Sequence, residues 1–560
     1  MGSLSIILAV DVGSSSVRCT SYEFSCRSES EGVSAASHPI RALEGMNRSI
    51  PMTSVSPNTG FIRINEVLNA IDTCVNEVLC LLRQTMTKSY NIAALGFSTF
   101  VMNLVGVDEF GHPVGDEATM SYACNRSEVL DICARIEKSL SADAKQTLYQ
   151  QTGAPIHPAY ALPQILTFYN TKDSHNADLV EKVRKWKTIS SICLSRWTGR
   201  DHNQIPISYS EASWTGMLNY SSCTWNDEVM TILGKSCDTS VLPLLSDYDI
   251  GDNLGNGLNE YSYDGSINIH WDKWPELRKC QFCLGIGDGA AANIGSKCGP
   301  STNENKRRIA VTIGTSAAAR LCLPLEVDVS NQFNIVVPFG LFCYRVDKNT
   351  ILLGGALTDG GSLVEWARTL FGLQSTQSFT ECIEKVTALY SSRCDSSSSC
   401  ITMAPFLSGE RSTGFRIGAN GCIFGITRET TSIDIMYACL ESVVLRLCAI
   451  IKLLTSVCSD DECILVASGN ALERNDLWRQ MTSDCCGLEI VMDGDSNEGT
   501  SRGVAISIAK KMFFRNAAEE LKILTSAVPD SNKFHLWNKA TLAQDDLIGA
   551  VGSIWTCNKM

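Results

Sequence analysis

The chain has 560 residues, a formal net charge of −13, 44% hydrophobic residues and 19% charged ones. That length exceeds what one hydrophobic core usually serves, so two or more domains are expected, and the composition excludes a disordered chain. The acidic balance, without clustered Lys and Arg, argues against a nucleic-acid or anionic-membrane partner but leaves room for an anionic small substrate held by local arginines.

In chain order, apolar runs predict strands at 6–12 and 17–24, then a polar Ser-rich stretch near 28–37. Val67, Leu68, Ile71, Val75, Val78, Leu79 and Leu82 recur at helical spacing. Strands at 92–97 and 104–107 follow, the second closed by the turn Asp108-Glu109-Phe110-Gly111, and residues 127–244 read as mostly helix and loop. A strand over 284–289 runs into Ala290-Ala291-Ala292, and the polar segment 299–306 is the best linker. Domains are therefore expected at 1–298 and 299–515, with an extension at 516–560 to which no chemistry is assigned. Beyond the linker come a strand at 351–353 running into Gly354-Gly355 and a helix at 362–371. A long apolar helix at 433–456, a strand at 464–467 and a helix bearing Leu477, Trp478 and Met481 complete the set. Alternation of strands and helices points to α/β layers.

Two segments in opposite halves are near copies: Ala9-Val10-Asp11-Val12-Gly13-Ser14-Ser15 and Ala310-Val311-Thr312-Ile313-Gly314-Thr315-Ser316. Each breaks at Gly and two hydroxyl residues and resumes as a short run, which reads as strand, turn, strand. A Rossmann fingerprint or P-loop would lead into a helix, and neither motif occurs. Glycine permits close backbone approach, and successive N–H groups and hydroxyls can point at phosphate oxygens. The copies differ where Asp11 faces Thr312; a carboxylate beside a phosphate site suits Mg²⁺ held through water. Two ordinary hairpins are the plain alternative.

Asp288, between two glycines at the end of an apolar strand, is placed where α/β proteins carry working groups and suits a general base; it could equally cap the next helix. Ser468-Gly469-Asn470-Ala471 joins strand to helix, a geometry in which backbone can lie along a flat ligand, with Asn470 tolerating a left-handed conformation. Arg18 and Arg411 lie beside turn segments and could neutralise phosphate or carboxylate, or be solvated or paired with an acid such as Glu410.

No apolar run reaches membrane-span length, and the N-terminus lacks a basic region ahead of a long apolar one, so no membrane segment or secretory signal is expected. Ile6 at the sixth position speaks against myristoylation of Gly2. A cytoplasmic chain with its 25 cysteines reduced is expected. Cys280-Gln281-Phe282-Cys283 reads as buried thiols, since no second pair follows at zinc spacing, and the sequons at Asn47, Asn125 and Asn219 read as chance matches.

The ordered set of Asp11 to Arg18, Gly287-Asp288-Gly289, Thr312 to Ser316, Gly354-Gly355, Phe406-Leu407-Ser408-Gly409-Glu410-Arg411, Ser468 to Ala471 and Ser501-Arg502-Gly503 resembles the FGGY carbohydrate kinases, over roughly residues 5 to 510. Gly153-Ala154-Pro155-Ile156-His157-Pro158, Ser210-Glu211-Ala212-Ser213-Trp214-Thr215-Gly216 and Gly287 to Asn293 bring it nearest to the gluconate kinases. The resemblance implies an α/β, two-domain fold of the actin, hexokinase and Hsp70 ATPase type (ribonuclease H-like), with ATP and Mg²⁺ in a cleft and the sugar on the N-terminal domain. It implies Asp288 as catalytic base and Asp11 as metal-linked carboxylate. Nucleotide contacts are implied at Gly13, Ser14, Ser15 and Arg18, at Gly314, Thr315 and Ser316, and at Gly355, Gly469, Asn470 and Ala471. Substrate contacts are implied at Met102, Asn103, Tyr122, Arg126 and Asp288. Where the family commonly carries Met-His this chain has Val101-Met102, and for Trp-Ala-Asp it has Tyr122-Ala123-Cys124, with Arg126 kept.

The expected activity is ATP-dependent phosphorylation of a sugar or sugar acid, gluconate to 6-phosphogluconate first among them. A kinase of a ketopentose such as ribulose or xylulose, or of another polyol, is the alternative. A catalytically silent ATP-binding regulator is a second, disfavoured because Asp11, Asp288 and both turns are all kept. The expected partner is a small sugar or sugar acid, without nucleic acid or membrane, and a homodimer is left open.

Overall fold

The computed structural model of the protein describes residues 4–24, 40–53, 55–56, 60–100, 104–120, 126–170, 174–247, 273–300, 306–325, 335–392, 401–458, 462–494, 499–512 and 523–557. The first sheet contains β1 (Leu4–Val12), β2 (Ser16–Phe24), β3 (Arg41–Pro51), β4 (Tyr90–Thr99), β5 (Gln281–Phe282) and β6 (Ile286–Gly287). Its order is β5-β4-β1-β2-β3, with β6 also on β4. The second contains β7 (Lys306–Ile313), β8 (Ala317–Pro324), β9 (Phe342–Asp347), β10 (Thr350–Leu357), β11 (Glu462–Ser468), β12 (Ile490–Asp493) and β13 (Ile523–Ala527), in the order β9-β10-β8-β7-β11-β12-β13. Both sheets share one run: β3-β2-β1 and β10-β8-β7 are antiparallel, and β4 or β11 then joins in parallel. The seven-residue repeat is thus the visible part of a duplicated sheet.

The helices that bear on the site are α1 (Ile64–Thr85), α2 (Tyr209–Ser213), α3 (Asp288–Gly295), α4 (Gly361–Leu370), α5 (Ser432–Thr455), α6 (Asn470–Arg474), α7 (Asp476–Cys486), α8 (Gly499–Met512) and α9 (Phe534–Cys557). Strand β1 is apolar on both faces because both are covered. Ile6, Leu8, Val10 and Val12 pack on the predicted stripe of α1, whereas Ile7 and Ala9 share a core with Val504, Ala505 and Ile508 of α8. In the second sheet Ile309, Val311 and Ile313 pack with Val443, Val444 and Leu447 of α5, a helix buried nearly all round. A capping box between Thr431 and Asp434 starts α5.

The lobes meet along a hydrogen-bonded seam. The Cys343 amide donates to Gly153 O at 2.9 Å, and the Gln150 side chain exchanges two 2.9 Å bonds with the Val337 backbone. Buried Arg345 donates to the carbonyls of Tyr220, Ser221 and Lys348.

Three expectations need correcting. The strand foreseen at 284–289 is limited to β6, and Asp288 already begins α3. Helix α8 follows the second-lobe strands β7 to β12 in sequence but packs on α3, β1 and β4 of the first lobe, so a single boundary at residue 299 does not divide the molecule in space. The contact is backbone to backbone: a Cβ on Gly503 would lie 1.8 Å from Ala291 O, and one on Gly295 would lie 1.6 Å from Gly499 O. The C-terminal extension is a working part of the second lobe. Strand β13 extends its sheet, α9 buries Trp537 in its core, and Gln544 donates to Met403 O at 2.8 Å and Ser442 O at 3.3 Å. The Ser-rich stretch 28–37 and most of the linker lie outside the described residues.

Candidate active site

Three parallel strand ends place the acidic groups. Asp11 of β1 stands opposite Ser98 of β4, which stands opposite Ile286 of β6; one step on, Val12, Thr99 and Gly287 align. Asp11 and Asp288 therefore lie at the carboxyl ends of two strands that flank β4 on either side, where α/β sheets hold ligands. Asp11 is buried; Ser98 Oγ donates to its Oδ1 at 2.6 Å, and Arg18 Nη1 lies 3.7 Å from its Oδ2.

Asp288 is half-buried, and its Oδ1 accepts from the Gly289 amide at 2.7 Å. Burial pushes its carboxyl up to about 6; Arg320, the Gly289 amide and Arg411 pull it down, and Asp11 pushes it further up. Asp288 thus feels Asp11 from one lobe and Arg320 and Arg411 from the other.

The two glycines flanking Asp288 make room for Trp214. A Cβ on Gly287 would lie 2.1 Å from the indole Nε1, and one on Gly289 2.8 Å from Cη2. The ring stacks on Tyr344 of β9 with centroids 4.0 Å apart, and Tyr344 shares a 2.5 Å hydrogen bond with Tyr160. Behind the loop, buried Glu211 of α2 accepts from Thr99 at 2.8 Å, Ser190 at 2.8 Å and Thr188 at 3.0 Å. Burial holds that carboxyl above its usual range against these three donors.

The two turns are built alike but differ in length. Val12 pairs with Val17, enclosing four residues, and Ile313 pairs with Ala317, enclosing three. Gly13 N donates to Ser16 O at 3.0 Å, and Gly314 N to Ser316 O at 2.9 Å. Neighbours take up the turn carbonyls: Met52 N bonds Ser15 O, Gly360 N and Ser362 N bond Thr315 O, and Gly361 N bonds Gly314 O. Ser14, Ser15, Thr315 and Ser316 are exposed, and among the described residues nothing accepts from their amides or hydroxyls. Such donors suit an anion.

Beside the second turn, Thr312 and Ser468 share a 2.7 Å hydroxyl contact, in register across β7 and β11. Gly469 adopts φ +89°, and a Cβ there would meet Ile313 O at 2.8 Å. The left-handed conformation foreseen for Asn470 belongs to Gly469, and Asn470 and Ala471 open α6. Gly355 also differs from expectation. It lies within β10 facing α5, where a Cβ would meet Ile450 at 2.7 Å, which gives it a packing role.

Models of the FGGY family of carbohydrate kinases match residues 6–249 with the N-terminal domain and 309–512 with the C-terminal domain. The chain belongs to the FGGY family of carbohydrate kinases. This FGGY kinase is 27% identical over 419 residues to a gluconokinase of Bacillus subtilis (strain 168), covering 74% of this chain and 73% of that one. It is 22% identical over 433 residues to a xylulose kinase of Staphylococcus xylosus, covering 77% and 79%. A solved gluconate kinase from Lactobacillus acidophilus shares the fold with a TM-score of 0.74 at 20% identity, over 99% of each chain. The expected two-domain α/β architecture is that of the family, which makes the protein a phosphotransferase with an alcohol group as acceptor.

Other foreseen residues fare differently in this kinase. Arg126 caps the helix Ser127–Ser139 and stacks 4.6 Å over Phe61. Met102, Asn103, Tyr122 and Cys124 lie outside the described residues. Arg411 is not Glu410's partner: Glu410 takes Arg416 at 2.9 Å and lies 3.8 Å from Arg446. Cys280 and Cys283 are both buried, and among the described residues neither forms a disulfide. Sequence reasoning gave no role to Arg320, Trp214, Ser98 or Glu211. Arg320 left one signal, a lone charge in the apolar run Ala317 to Leu323.

Proposed function

We propose that this kinase transfers the terminal phosphoryl group of ATP to a hydroxyl of a sugar acid, with gluconate as acceptor and 6-phosphogluconate as product. The observation that carries the reading is the place of Asp288 at the head of α3, across β4 from Asp11 and next to Gly289, where a Cβ would lie 3.3 Å from Arg320 Nε of the other lobe. Likeness to gluconokinases supports the choice of acceptor.

The acceptor hydroxyl gives its proton to Asp288 as it attacks phosphorus. The amides and hydroxyls of Ser14, Ser15, Thr315 and Ser316 donate to phosphate oxygens from both lobes, and the backbone at Gly469 lies along the adenosine. Magnesium, when bound, would supply positive charge that offsets the charge of the phosphates. Asp11, a single carboxylate near the end of β1, would hold it through water. Among the described residues no helix is long and apolar enough to cross a membrane. The free thiols support a reducing, cytoplasmic setting.

The test is ATP consumption against a panel of gluconate, other sugar acids, xylulose, ribulose and glycerol. Gluconate is expected to show the highest kcat/KM. A clear preference for a ketopentose would instead favour the reading that likeness to xylulose kinases supports. ATP binding without turnover on any acceptor would sink the enzyme reading and leave a regulator.

A further inference from the structure

Strand β8 leaves the second hydroxyl turn with its side chains on alternate faces. Ala317, Ala319, Leu321 and Leu323 enter the nucleotide-lobe core, while Ala318 and Cys322 enter the core shared with the first lobe. Arg320 falls on the shared face, against α3. Two residues of α3 one turn apart meet two alternate residues of β8. Asn293 Nδ2 donates to Cys322 Sγ at 3.4 Å, and a Cβ on Gly289 would lie 3.3 Å from Arg320 Nε. The guanidinium is thereby fixed against the residue that follows Asp288.

Arg320 Nε is buried and has no hydrogen-bond partner among the described residues, although buried polar groups are ordinarily paired. Arg411 comes to the same place from another segment. Ser412 docks on the end of β10, its amide donating to Ala356 O at 3.0 Å and its Oγ accepting from Ala356 N at 3.1 Å. Both guanidiniums act electrostatically on Asp288, and each on the other. Ala356 in turn stands opposite Ala318, two residues before Arg320 on β8, and with the adjacent acid Glu410 taken by Arg416 the two cations call for an anion beyond Asp288.

Resting on the kinase reading, we propose that Arg320 and Arg411 form an anion clamp, supplied by the nucleotide lobe, that grips the phosphoryl group while it passes from ATP to the acceptor. The acceptor oxygen, its proton taken by Asp288, forms the new O–P bond. The bond from phosphorus to the bridging oxygen breaks, and ADP leaves with that electron pair. Charge spreads over the three remaining phosphoryl oxygens, which planar guanidinium forks can bridge. Phosphorus is the next atom beyond the hydroxyl that Asp288 touches. The carboxylate of an acid phosphorylated at its far end lies at the other end of the carbon chain, so the phosphoryl group is the nearer anion.

The test uses Arg320→Met, Arg320→Lys and Arg411→Met in the full chain, with two readouts. In turnover, each Met variant is expected to lose about a thousandfold in kcat with acceptor KM held within about threefold, and guanidinium ion is expected to restore part of the Arg320→Met loss. In calorimetry, fluoroaluminate with magnesium is expected to tighten ADP binding to the native protein and not to the Met variants. This second readout needs no sugar, so it still reports if every acceptor on the panel fails. Unchanged kcat, fluoroaluminate tightening that survives in both Met variants, or a KM rise confined to acidic acceptors would overturn the clamp, the last assigning the arginines to substrate carboxylate. Arg411, outside the strands, carries the test if Arg320→Met does not fold.

Discussion

Gly285 stands directly against Glu211: a Cβ added at Gly285 would lie 2.4 Å from the carboxylate Oε1. Ser208 Oγ donates to Gly285 O at 2.6 Å, and Gly287 N donates to Ser210 Oγ at 3.1 Å, so α2 and its cap hold the segment that leads to Asp288. Gly285→Ala is expected to destabilise the protein by about 2–3 kcal/mol through overpacking and to lower kcat by displacing the base. Thermal melts read the first effect and steady-state kinetics the second; native values for both would show that the loop is not set by this contact.

Glu211 itself gives a pH-dependent prediction. Its folded-state pKa is raised by burial, so the stability tied to its neutral form is present at low pH and lost as pH rises through the folded value. Glu211→Gln keeps the shape and removes that loss. The variant is expected to gain stability relative to the native protein as pH rises above the ordinary carboxyl value of 4.5, in paired denaturant titrations. Parallel curves for the two proteins would refute it.

Asp288 must be ionised to accept a proton, and its pKa is pushed up to about 6. The kcat/KM profile is expected to be flat above pH 7 and to fall about tenfold per unit well below pH 6. A raised carboxyl pKa also means that ionisation costs stability as pH rises. Asp288→Asn is expected to abolish transfer yet be more stable at pH 8, by roughly 1–2 kcal/mol after allowing for solvent screening. A variant that loses both activity and stability would contradict this assignment.

At the crossing of α3 and α8 the 1.8 Å approach of a Cβ on Gly503 to Ala291 O leaves no flexible side chain to give way. Gly503→Ala is expected to cost about 3 kcal/mol or more, at the upper end for overpacking. Its loss of kcat should exceed that of Trp537→Ala, which opens a cavity of similar cost remote from the site. Comparing the two variants at a temperature where both are folded separates position from stability.

Much of the fold was legible because single elements advertise themselves by period. The stripe from Val67 to Leu82 became α1, the run near 433–456 became α5 (Ser432–Thr455), and the paired turns marked the duplicated sheets. The two candidate carboxylates stand out in the sequence too, since Asp11 and Asp288 each interrupt an apolar run within two residues of a glycine. What failed was whatever depends on which face meets which. Gly287 and Gly289 pack against an indole, Gly355, implied by resemblance as a nucleotide contact, packs on Ile450, and Arg320 lies against Gly289. Residues 516–560 offered no motif because their role is cover, with Trp537 and Gln544 serving partners far away in sequence.

The return of α8 to the first lobe carries a mechanical consequence. No single cleavage of the polypeptide would yield two self-sufficient pieces, since a fragment ending before residue 499 would bare the flanks of α3, β1 and β4. Asp288 heads the rod that α8 clasps, and α8 is tethered through Arg502 to Asp493 at the tip of β12. Any swing of the second lobe is therefore geared to Asp288 itself.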